Sequence, residues 1–403
     1  MKRVSVAPRD NYEDKAHRSG VFAVERKLPN GETHYTWDET SAYLIERDEV
    51  DVILDAVSPI VSMSYEAVDL LLDGQWGTLG LPRPFFEFAR NSFDDQNPQL
   101  FTRYDFAYLG NGEIKLVGID SDSPRTVMEA SQAQRTWLWD KFENRAKNHQ
   151  ITQLNNIQEI TEKAFSHMRK QTSDNTIHIV RGTDNRGEDW ITSSFIKGIA
   201  QKSGWRTENT RIKDIQWNAK KQAWVNSNGR IINNIYKHFP WDMLLRQRIT
   251  KDLIINHNRL NMMFEPSWKT ILSTRAMLPA LWELYPESPI LSPSFMELNT
   301  DDLSSDIVTS TVLPSTSRNE MGLLKGRSFT SWGEEMRDFS KQKNLVYRNL
   351  EIPKRYKDKS GGYRFAYLSI YTVAGKIAGL GMRETKMPLL GAYTTFRPHL
   401  VKL

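Results

Sequence analysis

Two extended runs joined by an Asn-Gly step stand out in the sequence, where residues 101–120 read FTRYDFAYLGNGEIKLVGID. Aromatic and β-branched residues are typical of strands, and Asn-Gly between two such runs favours a two-residue hairpin turn. If Asn111 and Gly112 form the turn, Gly110 lies opposite Glu113. The sequence therefore predicts an antiparallel hairpin whose register can be counted outward from its turn.

The predicted register gathers three charged side chains on one face of the hairpin. Counting outward places Asp105 opposite Gly118 and Arg103 opposite Asp120. Because side chains alternate between the two faces of a strand, Arg103, Asp105 and Asp120 should share one face. The other face is predicted to be apolar and to carry Tyr104, Phe106, Val117 and Ile119. One guanidinium and two carboxylates then form a single small patch.

Two interpretations of this charged patch are open on the residues alone. The simpler one is a cross-strand ion pair on a solvated sheet. The other is a magnesium–phosphate site, because hard cations take carboxylate oxygens and a nearby arginine neutralises phosphoryl oxygens. Asp122, just past the second strand, can join either arrangement.

The composition is that of a folded chain of several lobes. Of the 403 residues, 39% are hydrophobic and 26% are charged, which argues against general disorder. The absence of cysteine excludes disulfides, zinc–thiolate sites and thiol nucleophiles. The net charge of +5 is small and spread out, so nucleic acid is not an expected partner. Neither a membrane span nor a signal peptide is predicted, and we expect a cytoplasmic protein.

Helical periodicity and strand patterns place further elements around the hairpin. Helices are predicted at Ser41–Asp51, Ser64–Leu72 and Arg83–Phe93, and one over residues 264–285 with a kink near Pro279.

A strand at Thr176–Val180 followed by a helix at Ser193–Gln201 indicates an α/β lobe. A second hairpin, Tyr363–Thr372 with Lys376–Arg383, is predicted about Ala374-Gly375, and residues 299–318 are predicted to be a loop.

These elements suggest three regions along the chain. Residues 1–99 form a mainly helical N-terminal region, residues 100–260 carry the charged hairpin and the α/β lobe, and residues 261–403 form the last lobe. The fold class expected is α/β, with α+β lobes.

Several ordered blocks resemble the synthetase domain of the glutathionylspermidine synthase family. The blocks are Arg103–Asp105, Lys115–Pro124, His238–Leu244, Phe264–Lys269, Arg275–Trp282 and Tyr285-Pro286. The resemblance implies an ATP-grasp fold of rearranged topology that uses ATP and Mg²⁺. It further implies that a peptide-like carboxylate is activated as an acyl phosphate and then attacked by an amine.

The resemblance assigns roles to the hairpin residues. Arg103 matches the family arginine that meets the transferring phosphoryl group, and Asp105 matches a metal-binding aspartate. The two later metal positions, usually Glu and Asn in the family, fall at Gly118 and Asp120. Asp120 can ligate a metal, whereas glycine offers no side-chain ligand, and Asp122 is the candidate residue to compensate for it.

Nucleotide-binding positions lie later in the chain. Lys325 matches a phosphate-binding lysine, and Arg383 matches a late phosphate-facing arginine. Arg275 stands where the family commonly has lysine, and Asn349 lies on the strand that resembles the adenine-holding edge. The loop after Lys325 departs from the family pattern and contains Trp332.

Two functions are therefore carried forward. The first is an active ATP-dependent carboxylate–amine ligase. The second, supported by Gly118 and the altered loop, is a non-catalytic ATP-grasp protein that acts as a binding or assembly component. The resemblance does not identify either substrate, because proteins that share a fold differ in substrate specificity.

Overall fold

A computed structural model describes most of the chain. The described residues are 1–28, 31–182, 187–298, 303, 306–313, 321–325, 328–330, 345–391 and 393–403. For residues 187–189, 321–325 and 328–330 the description covers the backbone alone. Among the described residues, no helix is long and apolar enough to cross a membrane.

The helices of the described residues are short to medium in length. They are α1 (Tyr12–Arg18), α2 (Arg47–Val57), α3 (Ile60–Leu72), α4 (Arg83–Asp94), α5 (Gln134–Lys147), α6 (Ile157–Arg169), α7 (Gly187–Lys202), α8 (Trp241–Leu244), α9 (Ile249–Asn256), α10 (Lys269–Leu272) and α11 (Met277–Leu284). A π-helical turn, Glu129–Ala133, leads into α5.

The strands run from the start of the chain to its end. They are β1 (Lys2–Ser5), β2 (Glu25–Lys27), β3 (Thr33–Tyr35), β4 (Ser41–Glu46), β5 (Phe101–Gly110), β6 (Glu113–Asp120), β7 (Ile151–Thr152), β8 (Thr176–Arg181), β9 (Arg206–Arg211), β10 (Ile215–Asn218), β11 (Ala223–Asn226), β12 (Asn234–His238), β13 (Met262–Phe264), β14 (Ser294–Phe295), β15 (Asp306–Thr311), β16 (Met321–Lys325), β17 (Ser328–Thr330), β18 (Leu345–Asn349), β19 (Arg355–Lys357), β20 (Tyr363–Val373), β21 (Lys376–Thr385), β22 (Thr395–Arg397) and β23 (His399–Lys402).

The hairpin β5–β6 lies in a six-stranded antiparallel sheet, which we name the central sheet. Its order is β22-β21-β20-β5-β6, with β19 also paired to β20. The second predicted hairpin, β20–β21, therefore pairs directly with the first: Ser369 lies opposite Asp105. Both predicted hairpins are confirmed, and the charged residues of the first lie inside a sheet completed by the end of the chain.

The predicted register of the first hairpin is confirmed at the charged positions. Arg103 lies opposite Asp120 and Asp105 opposite Gly118. Between these pairs and the turn the register shifts twice, and the two shifts cancel. The prediction for Val117 was wrong, because the shift makes Leu116 the partner of Phe106 and moves Val117 to the face of Ala107.

A parallel sheet forms the α/β lobe. Its order is β13-β12-β8-β9, and α6 and α7 pack near it. The predicted strand at Thr176–Val180 and helix at Ser193–Gln201 are confirmed as β8 and α7. Long crossovers between parallel strands require such helices.

A second antiparallel sheet, of order β14-β18-β15-β16-β17, carries the later positions of interest. In it Arg348 lies opposite Val308, and the backbone of Lys325 lies opposite Asp306. The prediction of a loop over residues 299–318 was wrong at β15, because Ile307, Val308 and the Ser and Thr residues after them form a strand that pairs with β16 and β18.

Two helix predictions needed correction. Ser41–Glu46 is strand β4, and helix α2 begins only at Arg47. Over residues 264–285, the helix is broken before Pro279 rather than at it, since α11 begins at Met277. Proline is tolerated in this first helical turn, where the backbone N–H has no intrahelical acceptor. The predicted helices at Ser64–Leu72 and Arg83–Phe93 are confirmed.

The two ends of the chain meet in a four-stranded sheet of order β1-β4-β23-β7. Strand β23 runs parallel to β4 and antiparallel to β7. The division into 1–99, 100–260 and 261–403 stays a prediction, although β5 from the middle range shares the central sheet with β20 from the last.

Candidate active site

Arg103 and Asp105 form a buried ion pair on one face of the central sheet. The Arg103 Nε donates to Asp105 Oδ1 at 2.9 Å, and its Nη2 donates to Asp105 Oδ2 at 3.0 Å. The same Nη2 lies 3.2 Å from Asp120 Oδ2. The predicted cluster of one guanidinium and two carboxylates is thus present, but it is buried at Asp105 rather than solvated.

Asp105 is also held from the C-terminal strands. Ser369 Oγ donates to its Oδ1 at 2.6 Å, and Arg383 Nη1 donates to the same oxygen at 3.2 Å. Burial alone would raise the pKa of Asp105, but Arg103 and Arg383 outweigh it and the pKa is lowered. The carboxylate therefore stays charged and fixes both arginines in place.

Arg275 reaches the hairpin at Gly118. A Cβ added to Gly118 would lie 3.1 Å from Arg275 Nη1, so the guanidinium occupies the space beside the glycine. The backbone N–H of Arg275 donates to Val312 O at 2.8 Å. Since Gly118 lies opposite Asp105, the predicted residues Arg275, Arg383 and Arg103 converge on one region.

Arg348 is a further buried cation in this region, and sequence reasoning missed it. It lies on β18 and donates from Nη1 to Asn349 O at 3.1 Å. Burial, and then the nearby Arg275, lower its pKa to about 10. The available signal was an arginine between Tyr347 and Asn349 in an otherwise strand-like run, since a charged residue is rarely buried without a function or a partner.

The structure describes the other two predicted nucleotide-binding residues, Asn349 and Lys325, in less detail. Asn349 pairs with Ile307, and its backbone N–H donates to Pro293 O at 3.3 Å. The backbone of Lys325 pairs with Asp306 and Ser328, while its side chain lies outside the description. The altered loop after Lys325, including Trp332, also lies mostly outside the described residues.

Three other charged residues have structural partners of their own. Asp122 accepts from Lys237 Nζ at 2.7 Å and from the Trp241 N–H at 2.5 Å. Glu384 is buried and accepts from Arg3 and Arg397. Lys269 is buried and forms an ion pair with Glu265. Asp122 is therefore not available to compensate for Gly118.

The described residues do not fit a magnesium site built from protein ligands alone. Among them, no group of three or more His, Asp or Glu side chains could hold an ion. Asp105 already accepts from Arg103, Arg383 and Ser369, whereas the Asp120 side chain is 33% exposed. Metal binding by Asp105 and Asp120 stays a prediction, and it requires Asp105 to exchange an arginine for the ion.

The architecture is a mixed α/β fold of the ATP-grasp type. A glutathione synthetase-like effector from Globodera pallida, solved in the apo form, superposes with a TM-score of 0.56 over 96% of each chain. At 8% identity this likeness concerns the fold alone.

Residues 3–402 match the family described as Glutathionylspermidine synthase preATP-grasp, and the chain belongs to this family. The family resemblance and the fold class expected from the sequence are confirmed.

Two relatives are named as ligases. A putative acid–amine ligase of Haemophilus influenzae is 25% identical over 379 residues, covering 92% of each chain. The bifunctional glutathionylspermidine synthetase/amidase of Escherichia coli is 23% identical over 391 residues, and the chain spans 59% of its length. These names support ligation of a carboxylate to an amine in general.

Proposed function

We propose that this protein is an ATP-dependent ligase that joins a peptide-like carboxylate to an amine through an acyl phosphate. The observation that carries the proposal is the convergence of Arg103, Arg275 and Arg383 about the Asp105–Gly118 pair. A nucleoside triphosphate and an activated carboxylate both carry negative charge that fixed cations in this region would stabilise. Within the proposal the protein acts in the cytoplasm.

Arg103 is assigned the catalytic role. Its two-point pairing with Asp105 holds the guanidinium plane rigidly, as stabilisation of a developing phosphoryl charge requires. Asp105 positions Arg103 and Arg383 together. Arg275, Lys325 and Arg383 are assigned to the phosphates of the nucleotide, whose negative charge these cations offset. Asn349 is assigned to the strand edge that holds the adenine.

The cofactors proposed are ATP and Mg²⁺. Magnesium bound with the nucleotide would neutralise phosphate charge, and Asp120 is the carboxylate with exposed oxygens nearby. The amine and the carboxylate are proposed only as classes, since the relatives' substrates belong to the relatives.

A second candidate function is nucleotide binding without catalysis. It is favoured by Gly118, which supplies no carboxylate, and by the full engagement of Asp105 with arginine and serine donors. In this case the protein would bind ATP and act as an assembly component.

ADP release separates the two candidates. A screen of peptide carboxylates against amines, with ATP and Mg²⁺, should yield ADP only with a matching pair. Arg103→Lys keeps the charge but loses the planar two-point contact, and should lower ADP release by about 10³-fold. A wild-type protein that binds ATP but releases no ADP with any pair would favour the non-catalytic candidate.

Arg9→Lys is the matched control for this variant. Arg9 is also buried, and its ion pairs are with Glu39 and Asp140 rather than with Asp105. It should leave ADP release unchanged, while thermal unfolding reports the stability of both variants. If Arg103→Lys releases ADP like wild type, Arg103 has no catalytic role.

A further inference from the structure

Guanidinium groups outnumber carboxylates around Gly118. Arg103 and Arg383 share Asp105, and Arg103 also reaches Asp120. Arg275 and Arg348 add two further cations, and neither forms an ion pair with any carboxylate of the described residues. Among the described residues, these four guanidinium groups form ion pairs with only two carboxylates, and Glu351 attracts Arg348 without forming an ion pair. A bound anion would offset the remaining positive charge.

Gly118 is kept small by its neighbour rather than by its backbone. Its φ lies outside the left-handed range that favours glycine. A side chain at this position would instead meet Arg275 Nη1. A carboxylate placed there would form an ion pair with Arg275. The site can therefore have an acidic metal ligand at position 118 or an Arg275 that is free to bind an anion, but not both.

Two of these cations are incompletely satisfied. The Nε of Arg275 is buried and has no hydrogen-bond partner among the described residues. Arg348 is 8% exposed, and the hydrogen bond that the described part of the chain gives its side chain goes to a neutral carbonyl, Asn349 O. Burial of a cation without a counter-charge is costly, and a bound anion would remove that cost.

We propose that Arg275 and Arg348, in the space left open by Gly118, bind phosphate groups directly and replace a protein-held magnesium ion. The identity of the natural ligand, a nucleoside triphosphate, rests on the proposed function. The site itself should accept any linear polyphosphate, because guanidinium groups recognise phosphate oxygens by charge and paired N–H donors.

Calorimetry of the wild-type protein tests this without any substitution. ATP and inorganic tripolyphosphate are each titrated in EDTA and in excess Mg²⁺. We expect both to bind in EDTA at least as tightly as in Mg²⁺. Tripolyphosphate binding without ATP binding would support the arginine site and contradict the proposed nucleotide function. Binding that requires Mg²⁺, or the absence of binding in EDTA, would overturn the inference.

Substitutions locate the site. Arg275→Met and Arg348→Met remove the charge at nearly constant length, and each should raise the Kd for tripolyphosphate in EDTA by about tenfold or more. Arg83→Met is the control, because Arg83 is exposed and pairs only with Glu87 on α4. Equal Kd values for all three variants would contradict the assignment.

The double variant Gly118→Glu with Arg275→Lys tests the exchange of arginine for metal. It adds a carboxylate at position 118 and replaces the guanidinium that would otherwise meet that carboxylate by the shorter lysine side chain. Tripolyphosphate should bind more weakly in EDTA, and its affinity should recover in Mg²⁺. Gly198→Glu adds the same charge where no atom lies within 4 Å, and should keep the wild-type pattern. A double variant indifferent to Mg²⁺ would count against the exchange.

Discussion

Single residues of this protein are buried with unsatisfied polar atoms, and His399 is the clearest of them outside the candidate site. The side chain is fully buried on β23, and neither ring nitrogen has a hydrogen-bond partner among the residues that the structure describes. Burial lowers its pKa to about 3. The imidazole therefore stays neutral in the folded protein at pH values where it becomes charged in the unfolded chain.

This difference predicts the sign of a pH effect. The unfolded chain binds a proton at His399 near pH 6.5, so the free energy of unfolding falls as the pH drops from about 6.5 towards 3. His399→Leu should remove this loss, so that the free energy of unfolding of the variant relative to wild type is about 2 kcal/mol higher at pH 5 than at pH 7. Urea unfolding at both pH values measures it. His167→Gln, at an exposed position on α6, should show no such difference.

Residue-scale prediction from the sequence succeeded where geometry was local and failed where it depended on burial. Strand alternation alone brought Arg103, Asp105 and Asp120 together. The partners Ser369 and Arg383 could not be inferred from the hairpin, because they come from strands more than 250 positions away. Arg348 was missed because its burial depends on the surrounding strands, and its place in a strand-like run was the only sign of it in the sequence.

At the scale of elements, the hairpin β5–β6 depends on its turn. Asn111 and Gly112 both have left-handed backbone conformations, with φ of 53° and 82°. A Cβ on Gly112 would also lie 2.8 Å from Val52 Cγ1 on α2. The turn therefore joins the hairpin to a helix as well as reversing the chain.

Gly112→Ala should lower the free energy of unfolding by about 1–2 kcal/mol from backbone conformation, with a further loss from contact with Val52. Gly74→Ala is the matched control, since Gly74 has a similar φ of 79° but no atom within 4 Å of an added Cβ. Denaturant unfolding should rank Gly112→Ala as the more damaging. A loss for Gly112→Ala no larger than that for Gly74→Ala would mean that the Val52 side chain moves away from the added methyl group at no cost in stability.

The register of this hairpin was predictable because its turn chemistry is explicit. The two register shifts, one near Val117 and one near the turn, were not predicted. Gly118 was an available signal for the first, because an isolated glycine within a strand often marks a bulge.

Strand β15 was missed because Thr309 and Ser310 suggested a loop, although Ile307 and Val308 before them are apolar and buried. The segment becomes a strand by pairing with β16 and β18, which its own composition does not reveal.

For the whole molecule, the ends of the chain are joined by charge as well as by strand pairing. Glu384 is buried between Arg3 and Arg397, at 2.6 Å and 2.8 Å, and also accepts from the Tyr43 hydroxyl at 2.8 Å. These partners come from β1, β22 and β4. The association could not be derived from the sequence, because nothing local links residues so far apart.

Glu384→Gln should lower the free energy of unfolding by about 3–5 kcal/mol, because it leaves Arg3 and Arg397 buried without their shared counter-charge. Glu46→Gln is the control: Glu46 pairs with Lys402 between β4 and β23, but both side chains are about half exposed. Its loss should stay below about 1 kcal/mol. Similar losses for the two variants would contradict the assigned importance of burial.

The pairing of β5 with β20 also has a consequence for synthesis of the protein. Asp105 leaves the ribosome 264 residues before Ser369 and 278 before Arg383. At about 5–20 residues per second, the hairpin waits roughly 15–50 s for the strands that complete its sheet. Until then β5 is a strand with one open edge, and Asp105 lacks two of its three partners, Ser369 and Arg383. The central sheet can therefore close only after β20, β21 and β22 have been synthesised.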